Sequence, residues 1–158
     1  MIAVYPGTFD PVTLGHLDII TRASQLFDNI IVAVSENEAK HPYFSLEERC
    51  ELLRRSTAHL TNVSVEGYKG LTVDFLKEKK SKVLIRGIRN IIDCEFELSL
   101  QGMYKAYVPD IDIVLLPATS NLNFISSTLV RDLLKHNGTI DNFVPKEVVE
   151  YINYKIQK

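Results

Sequence analysis

The stretch Ile2-Ala3-Val4-Tyr5-Pro6-Gly7-Thr8-Phe9-Asp10-Pro11-Val12-Thr13-Leu14-Gly15-His16 opens on a short apolar run that stops at Pro6-Gly7. From His16 to Phe27 the apolar residues Ile20, Ala23, Leu26 and Phe27 recur at helical spacing. Ile30 to Val34 is then continuously apolar, the pattern of a strand covered on both faces. Strand, helix and doubly covered strand in this order point to a parallel sheet.

The same alternation continues outward. Ser45 with Glu48 three residues later forms a capping-box signature, which starts a helix running to about Ala58. Val63 to Val65 is expected to be a third strand, Val73 to Lys79 a helix, and Val83 to Ile85 a fourth strand. Phe96, Leu100, Met103, Tyr104 and Tyr107 give a helical stripe. Ile111 to Leu116 is a fifth strand ended by Pro117. Helices follow from about Ser127 to His136 and from Pro145, at the first helical position, to Ile156. With no repeats and no linker, residues 1–158 are expected to form a single domain. Its class is α/β, a doubly wound five-stranded parallel sheet of dinucleotide-binding (Rossmann-like) type.

Composition narrows the function. Lys and Arg number 18 against 20 Asp and Glu, a net charge of −2, without the basic excess of a general nucleic-acid binder. No run approaches eighteen apolar residues and no charged-then-apolar leader opens the chain, so a cytoplasmic protein off the membrane is expected. Cys50 and Cys94 lie far apart, and His41, His59 and His136 show no metal spacing, so no protein metal site is expected.

Ligands of such sheets bind at the carboxyl ends of the strands, near the switch in strand order. The segments expected after the strands carry glycine, hydroxyl and cation chemistry: Thr8 to His16, Lys40, Gly67 and Gly70, Arg86-Gly87-Ile88-Arg89, and Thr119 to Thr128. His16 and Ser126 to Thr128 fall at helix starts, where free N–H groups and a partial positive charge suit a polyphosphate. No P-loop and no GxGxxG turn is present.

Thr13-Leu14-Gly15-His16 resembles the [T/H]xGH signature of nucleotidyltransferases, and Ile125 to Arg131 resembles their second, serine-rich signature. Tyr5 to Pro11, Ile85 to Arg89, Asp93 to Glu97 and Asn123 to Ser127 are similar to phosphopantetheine adenylyltransferases, in order and over the whole chain. That resemblance implies transfer of AMP from ATP to 4′-phosphopantetheine, giving dephospho-CoA and pyrophosphate, with Mg2+, in a homohexamer. By position it implies Thr8, Lys40, Thr72 and Arg86 on the acceptor. It implies Thr8, Phe9, His16, Gly87, Ile88, Arg89 and Glu97 on ATP, with Leu122, Asn123, Phe124, Ile125, Ser126, Ser127 and Thr128. It makes His16 the catalytic, transition-state-stabilising residue. Leu122, Cys94, Phe96, Thr128 and Arg131 depart from the family's commoner residues. The alternative is an adenylyl- or cytidylyltransferase for another phosphate acceptor such as nicotinamide mononucleotide, although those relatives carry His where this chain has Thr13.

A phosphate monoester has a second pKa near 6 and arrives largely dianionic at neutral pH. It needs no general base, and none of the Ser-His-Asp or Cys-His kind is visible. The work expected of the protein is positioning and charge neutralisation.

Overall fold

The computed structural model describes residues 1–36 and 41–156. Five strands, β1 (Ile2–Gly7), β2 (Asn29–Ser35), β3 (Val63–Tyr68), β4 (Val83–Ile88) and β5 (Asp112–Pro117), form one parallel sheet in the order β3-β2-β1-β4-β5. The helices between and after them are α1 (Leu14–Leu26), α2 (Leu46–Ser56), α3 (Thr72–Glu78), α4 (Ile91–Tyr107), α5 (Ser127–Lys135) and α6 (Lys146–Ile156). The fold is the doubly wound α/β architecture. Strand order reverses between β1 and β4, which places the crevice there.

Alternation along each strand sorts the core onto two faces. Ala3 and Tyr5 of β1, Ile30, Val32 and Val34 of β2, and Val83 and Ile85 of β4 pack with Ile19, Ile20 and Ala23 of α1. Leu52 and Leu53 of α2, Val130 of α5 and Val148 and Ile152 of α6 complete that layer. Val4, Ile31, Ala33 and Leu84 point the other way, against Val73, Phe75 and Leu76 of α3 and Tyr104 of α4. Side chains of β2 from Ile30 to Val34 are buried on both faces, which is why its sequence shows no polar alternation.

Two strands run further than their apolar cores. Arg86, Gly87 and Ile88 lie in β4, in register with Leu115, Leu116 and Pro117 of β5, rather than in a loop after it. Gly67 likewise lies in β3, opposite Val34. Backbone pairing extends the ladder where side-chain pattern alone predicts an end. The helix predicted from Phe96 to Tyr107 starts earlier, at Ile91, with Asn90 as its N-cap accepting from the Asp93 N–H at 2.9 Å. Its apolar stripe is split: Leu100 and Tyr104 pack on the sheet's core, whereas Phe96, Met103 and Tyr107 are exposed.

Arg49 of α2 is 1% exposed and ties three segments together. Its guanidinium donates to the carbonyls of Thr8 (2.7 Å) after β1, Ser35 (2.8 Å) and Glu36 (3.1 Å) at the end of β2, and Phe44 (3.1 Å) and Ser45 (3.3 Å) before α2. Asp10 adds to this knot, its two oxygens accepting the Tyr43 and Phe44 N–H groups at 2.8 and 2.9 Å. The Ser45–Glu48 capping box forms as predicted, and Glu48 also accepts from Tyr151 and Lys155 of α6.

Candidate active site

The carboxyl ends of β1 and β4 and the starts of α1 and α5 enclose a cavity of about 950 Å³, the size of a substrate pocket. Its walls come from chain segments far apart in sequence.

The first wall is the turn from β1 to α1. Thr13 is the N-cap of α1 and His16 its third residue, joined in a reciprocal capping box. The Thr13 N–H donates to His16 Nδ1 at 3.1 Å, and the His16 N–H donates to Thr13 Oγ1 at 3.3 Å. An Nδ1 that accepts a backbone N–H carries no proton, so the neutral ring holds its proton on Nε2. Burial pushes the His16 pKa down from 6.5 to about 4, and the Arg89 charge adds to the shift. At neutral pH the ring is therefore an uncharged N–H donor in the cavity wall. Phe9 stands behind it, ring centroids 5.0 Å apart, and is buried in a left-handed backbone conformation at φ 49°. Gly7 makes room for that ring, because a Cβ there would lie 2.9 Å from two of its carbons. Thr8 lines the cavity beside it.

The second wall is β4 with α4. Arg86, Gly87, Ile88 and Arg89 all line the cavity, as does Glu97. The Arg86 Nη2 donates to Glu97 Oε1 at 2.6 Å, and Nη1 donates to the Pro6 carbonyl at 3.3 Å. Burial lowers the Arg86 pKa, but the bond to Glu97 more than offsets it and the net shift is upward. Arg89 is paired differently, through its backbone N–H and Nε to Asp93 Oδ2 at 2.9 and 3.1 Å. A Cβ on Gly87 would come within 3.3 Å of both Ile19 and the Tyr5 hydroxyl, so glycine fits the close approach of β4 to α1.

The third wall is the segment from β5 into α5. Ser126 caps α5 by accepting the Leu129 N–H at 3.1 Å, while Ser127 Oγ donates to the Pro11 carbonyl at 2.8 Å. The Ser127 and Thr128 amides at this helix start remain suited to an anion. Arg131 anchors the helix on the β1 turn, donating to the Asp10 carbonyl at 2.7 Å and to Thr128 Oγ1 at 3.2 Å. Leu122 and Ile125 line the cavity next to Gly15. Asn123 and Phe124 do not. Phe124 is 60% exposed and packs edge-on against Phe143.

Thr72 lines the far end of the cavity at the start of α3, its hydroxyl 2.8 Å from that of Tyr68. Lys40 lies outside the described residues. Sequence reasoning missed three lining tyrosines: Tyr5 on β1, Tyr68 on β3 and Tyr104 on α4. They are apolar at the level of pattern and polar only at the hydroxyl. It also missed Asp18 of α1, whose two oxygens accept from Thr119 Oγ1 at 3.0 Å and so fix the β5–α5 connection.

Among the described residues no group of three or more His, Cys, Asp or Glu is placed to hold a metal ion.

Comparison with known proteins gives two findings. The pattern of the family described as cytidylyltransferase-like matches residues 4–133, more than half of the chain. Among solved structures, one described as a nicotinate-nucleotide adenylyltransferase from Vibrio parahaemolyticus is similar over 96% of this chain and 91% of its own. Its TM-score is 0.74 and its identity 20%, a likeness of fold.

Proposed function

We propose, from the premise that this chain belongs to the cytidylyltransferase-like family, that it transfers AMP from ATP to 4′-phosphopantetheine. The products are dephospho-CoA and pyrophosphate. The observation that carries this reading is that one cavity gathers His16, Arg89 and the α5 start together with Thr8, Arg86 and Thr72. We assign the first three to the triphosphate and the last three to the acceptor phosphate.

The acceptor phosphate oxygen attacks the α-phosphorus of ATP, the new O–P bond forms, and the bond to the bridging oxygen breaks as pyrophosphate leaves. Arg86 and Thr8 hold the attacking phosphate, and the α5 amides with Arg89 hold the triphosphate. His16 donates from Nε2 to an α-phosphate oxygen as charge gathers there, a donor whose tautomer the Thr13 N–H has already set. Magnesium, when bound with ATP, neutralises the phosphate oxygens.

Tyr68, Thr72 and Tyr104 line the acceptor end with hydroxyls, suited to the amides of a pantetheine arm. Among the described lining residues the cationic side chains are Arg86 and Arg89, which match one acceptor phosphate and one triphosphate. The nucleotide acceptor is still the second reading, because the similar Vibrio fold carries the name of such an enzyme.

Self-association fits the outer side of α4, where Ile91, Ile92 and Leu98 are exposed. The homohexamer follows from the family resemblance. Among the described residues no helix is long and apolar enough to cross a membrane.

The test is pyrophosphate release with ATP and a panel of acceptors: 4′-phosphopantetheine, nicotinamide mononucleotide and nicotinate mononucleotide. Fastest turnover is expected with 4′-phosphopantetheine. Faster turnover of either nucleotide overturns the acceptor and leaves the adenylyl transfer standing.

A further inference from the structure

Two carboxylates among the described residues are buried, and they are treated differently by the fold. Asp10, 3% exposed, has a backbone N–H on each oxygen. Glu97, 5% exposed, has Arg86 on Oε1 and no hydrogen-bond partner on Oε2. A fold that needed only to fill this space would place an apolar side chain there, since a buried ion pair is a poor source of stability and an orphaned oxygen makes it worse. Glu97 also sits on the sheet-facing side of α4, where leucine would serve packing better.

What the carboxylate does accomplish is geometric. Arg86 makes two protein contacts, Nη2 to Glu97 Oε1 at 2.6 Å and Nη1 to the Pro6 carbonyl at 3.3 Å. Two anchors on different nitrogens fix the guanidinium plane and use two of its five N–H donors. The remaining donors stay available to a ligand in the cavity that Arg86 lines.

We infer that Glu97 is a positioning residue that touches no reacting atom and holds the Arg86 guanidinium in the plane in which it receives the acceptor's phosphate. This rests on the assignment of Arg86 to the acceptor, and it departs from the place on ATP that family resemblance gives Glu97. The carboxylate acts through Arg86, so its loss falls on one substrate.

Glu97→Gln keeps the shape and removes the charge. Steady-state kinetics, with each substrate varied in turn, should show KM for the acceptor raised about tenfold, the scale of a coupled pair. KM for ATP should stay within about twofold and the melting temperature should hold or rise. In an Arg86→Ala background the same substitution should add nothing to the acceptor KM. Glu97→Asp, which keeps the charge but retracts it, should move the same parameter less. A rise in KM for ATP, an equal rise for both substrates, additivity with Arg86→Ala, or unchanged kinetics would each overturn the role. The acceptor used is the one that wild type turns over fastest. A wrong acceptor assignment thus appears in wild type, and a wrong role for Glu97 appears only in the variants.

Discussion

Helices α1 and α4 cover opposite faces of the same sheet, both reach the cavity, and they are built the opposite way round. In α1 the buried residues are Ile19, Ile20 and Ala23, and the cavity is lined by Gly15 and His16 of the first turn together with Ile19. In α4 the buried residues are Glu97 and Tyr104, Phe96 is exposed at the cavity, and Ile91, Ile92 and Leu98 are exposed. An ordinary amphipathic helix turns its apolar side inward. Helix α4 instead lines the cavity on one side and leaves an apolar surface on the other. The two helices thus divide the labour: α1 presents donors from an apolar, well-packed base, and α4 presents the buried carboxylate that anchors Arg86.

That division can be broken experimentally, and the largest effect is expected in α1. His16→Ala should lower kcat by about 10²–10³, the usual loss of one preorganised donor, with little change in KM for ATP. A variant that keeps most of its kcat would reduce His16 to the capping partner of Thr13. Arg86→Ala, which removes the cation that α4 holds, should raise the acceptor KM about ten- to a hundredfold, corresponding to about 1.5–3 kcal/mol for a charge-assisted contact. An equal loss for ATP would mean that the second wall has collapsed.

Gly15 sharpens the point that α1 is shaped for a ligand. A Cβ there would meet Thr13 Oγ1 and the Leu122 carbonyl at 3.6 Å, ordinary contact distances, so the protein itself has room for alanine. Gly15→Ala should stabilise the fold by about 0.5 kcal/mol while lowering activity roughly tenfold. Melting and turnover measured on the same sample would decide it, and a variant both stable and fully active would show that no ligand uses that space.

Acidity tests the His16 environment. A pKa lowered on folding from 6.5 to about 4 means that the unfolded chain takes up a proton the folded chain refuses. Stability should accordingly be complete above pH 6.5 and fall by on the order of 1–3 kcal/mol as pH drops towards 4. Denaturant unfolding of His16→Asn should be flatter across that window. Glu48 acts in a separate one. Burial opposes its ionisation, but bonds from Lys155, Tyr151 and the Ser45 N–H outweigh burial and bring it from 4.5 to about 2. Its contribution is lost only as pH falls below 4.5. The smallest effect is expected on the outer side of α4. Ile92→Glu should leave monomer stability within about 0.5 kcal/mol yet shift the mass measured by light scattering to smaller species. An unchanged mass would remove α4 from the self-association surface.

Much of this arrangement is legible in the sequence, because it rests on local signals. Alternating strand and helix periods give the sheet, the Ser45–Glu48 pair gives the α2 start, and Thr13 to His16 gives the first wall. What escapes is set by contacts between distant residues. Glu97 is assigned to ATP by family position, and its pairing with Arg86, eleven positions earlier, shows only once the β4–α4 turn brings the two together. Arg86 and Gly87 look like loop residues because the hydrogen bonds that keep them in β4 are backbone bonds to β5. The stripe of Phe96, Leu100, Met103, Tyr104 and Tyr107 announces the helix, but periodicity does not say which of the five meet the sheet, and only Leu100 and Tyr104 do. Phe124 follows the family pattern by position, yet its ring turns to Phe143.

Arg49 gives the binding edge a property that its ligand contacts lack. Its donors end on the carbonyls of Thr8, Ser35, Glu36, Phe44 and Ser45, and among the described residues none of these partners is a carboxylate. Added electrolyte weakens attraction between solvated ions, with a Debye length of about 10 Å at 0.1 M, but it does little to a buried cation held by peptide dipoles. Raising ionic strength should therefore loosen the grip on phosphates while the loops that shape the edge keep their form. Binding strength and scaffold geometry are in this way insulated from each other.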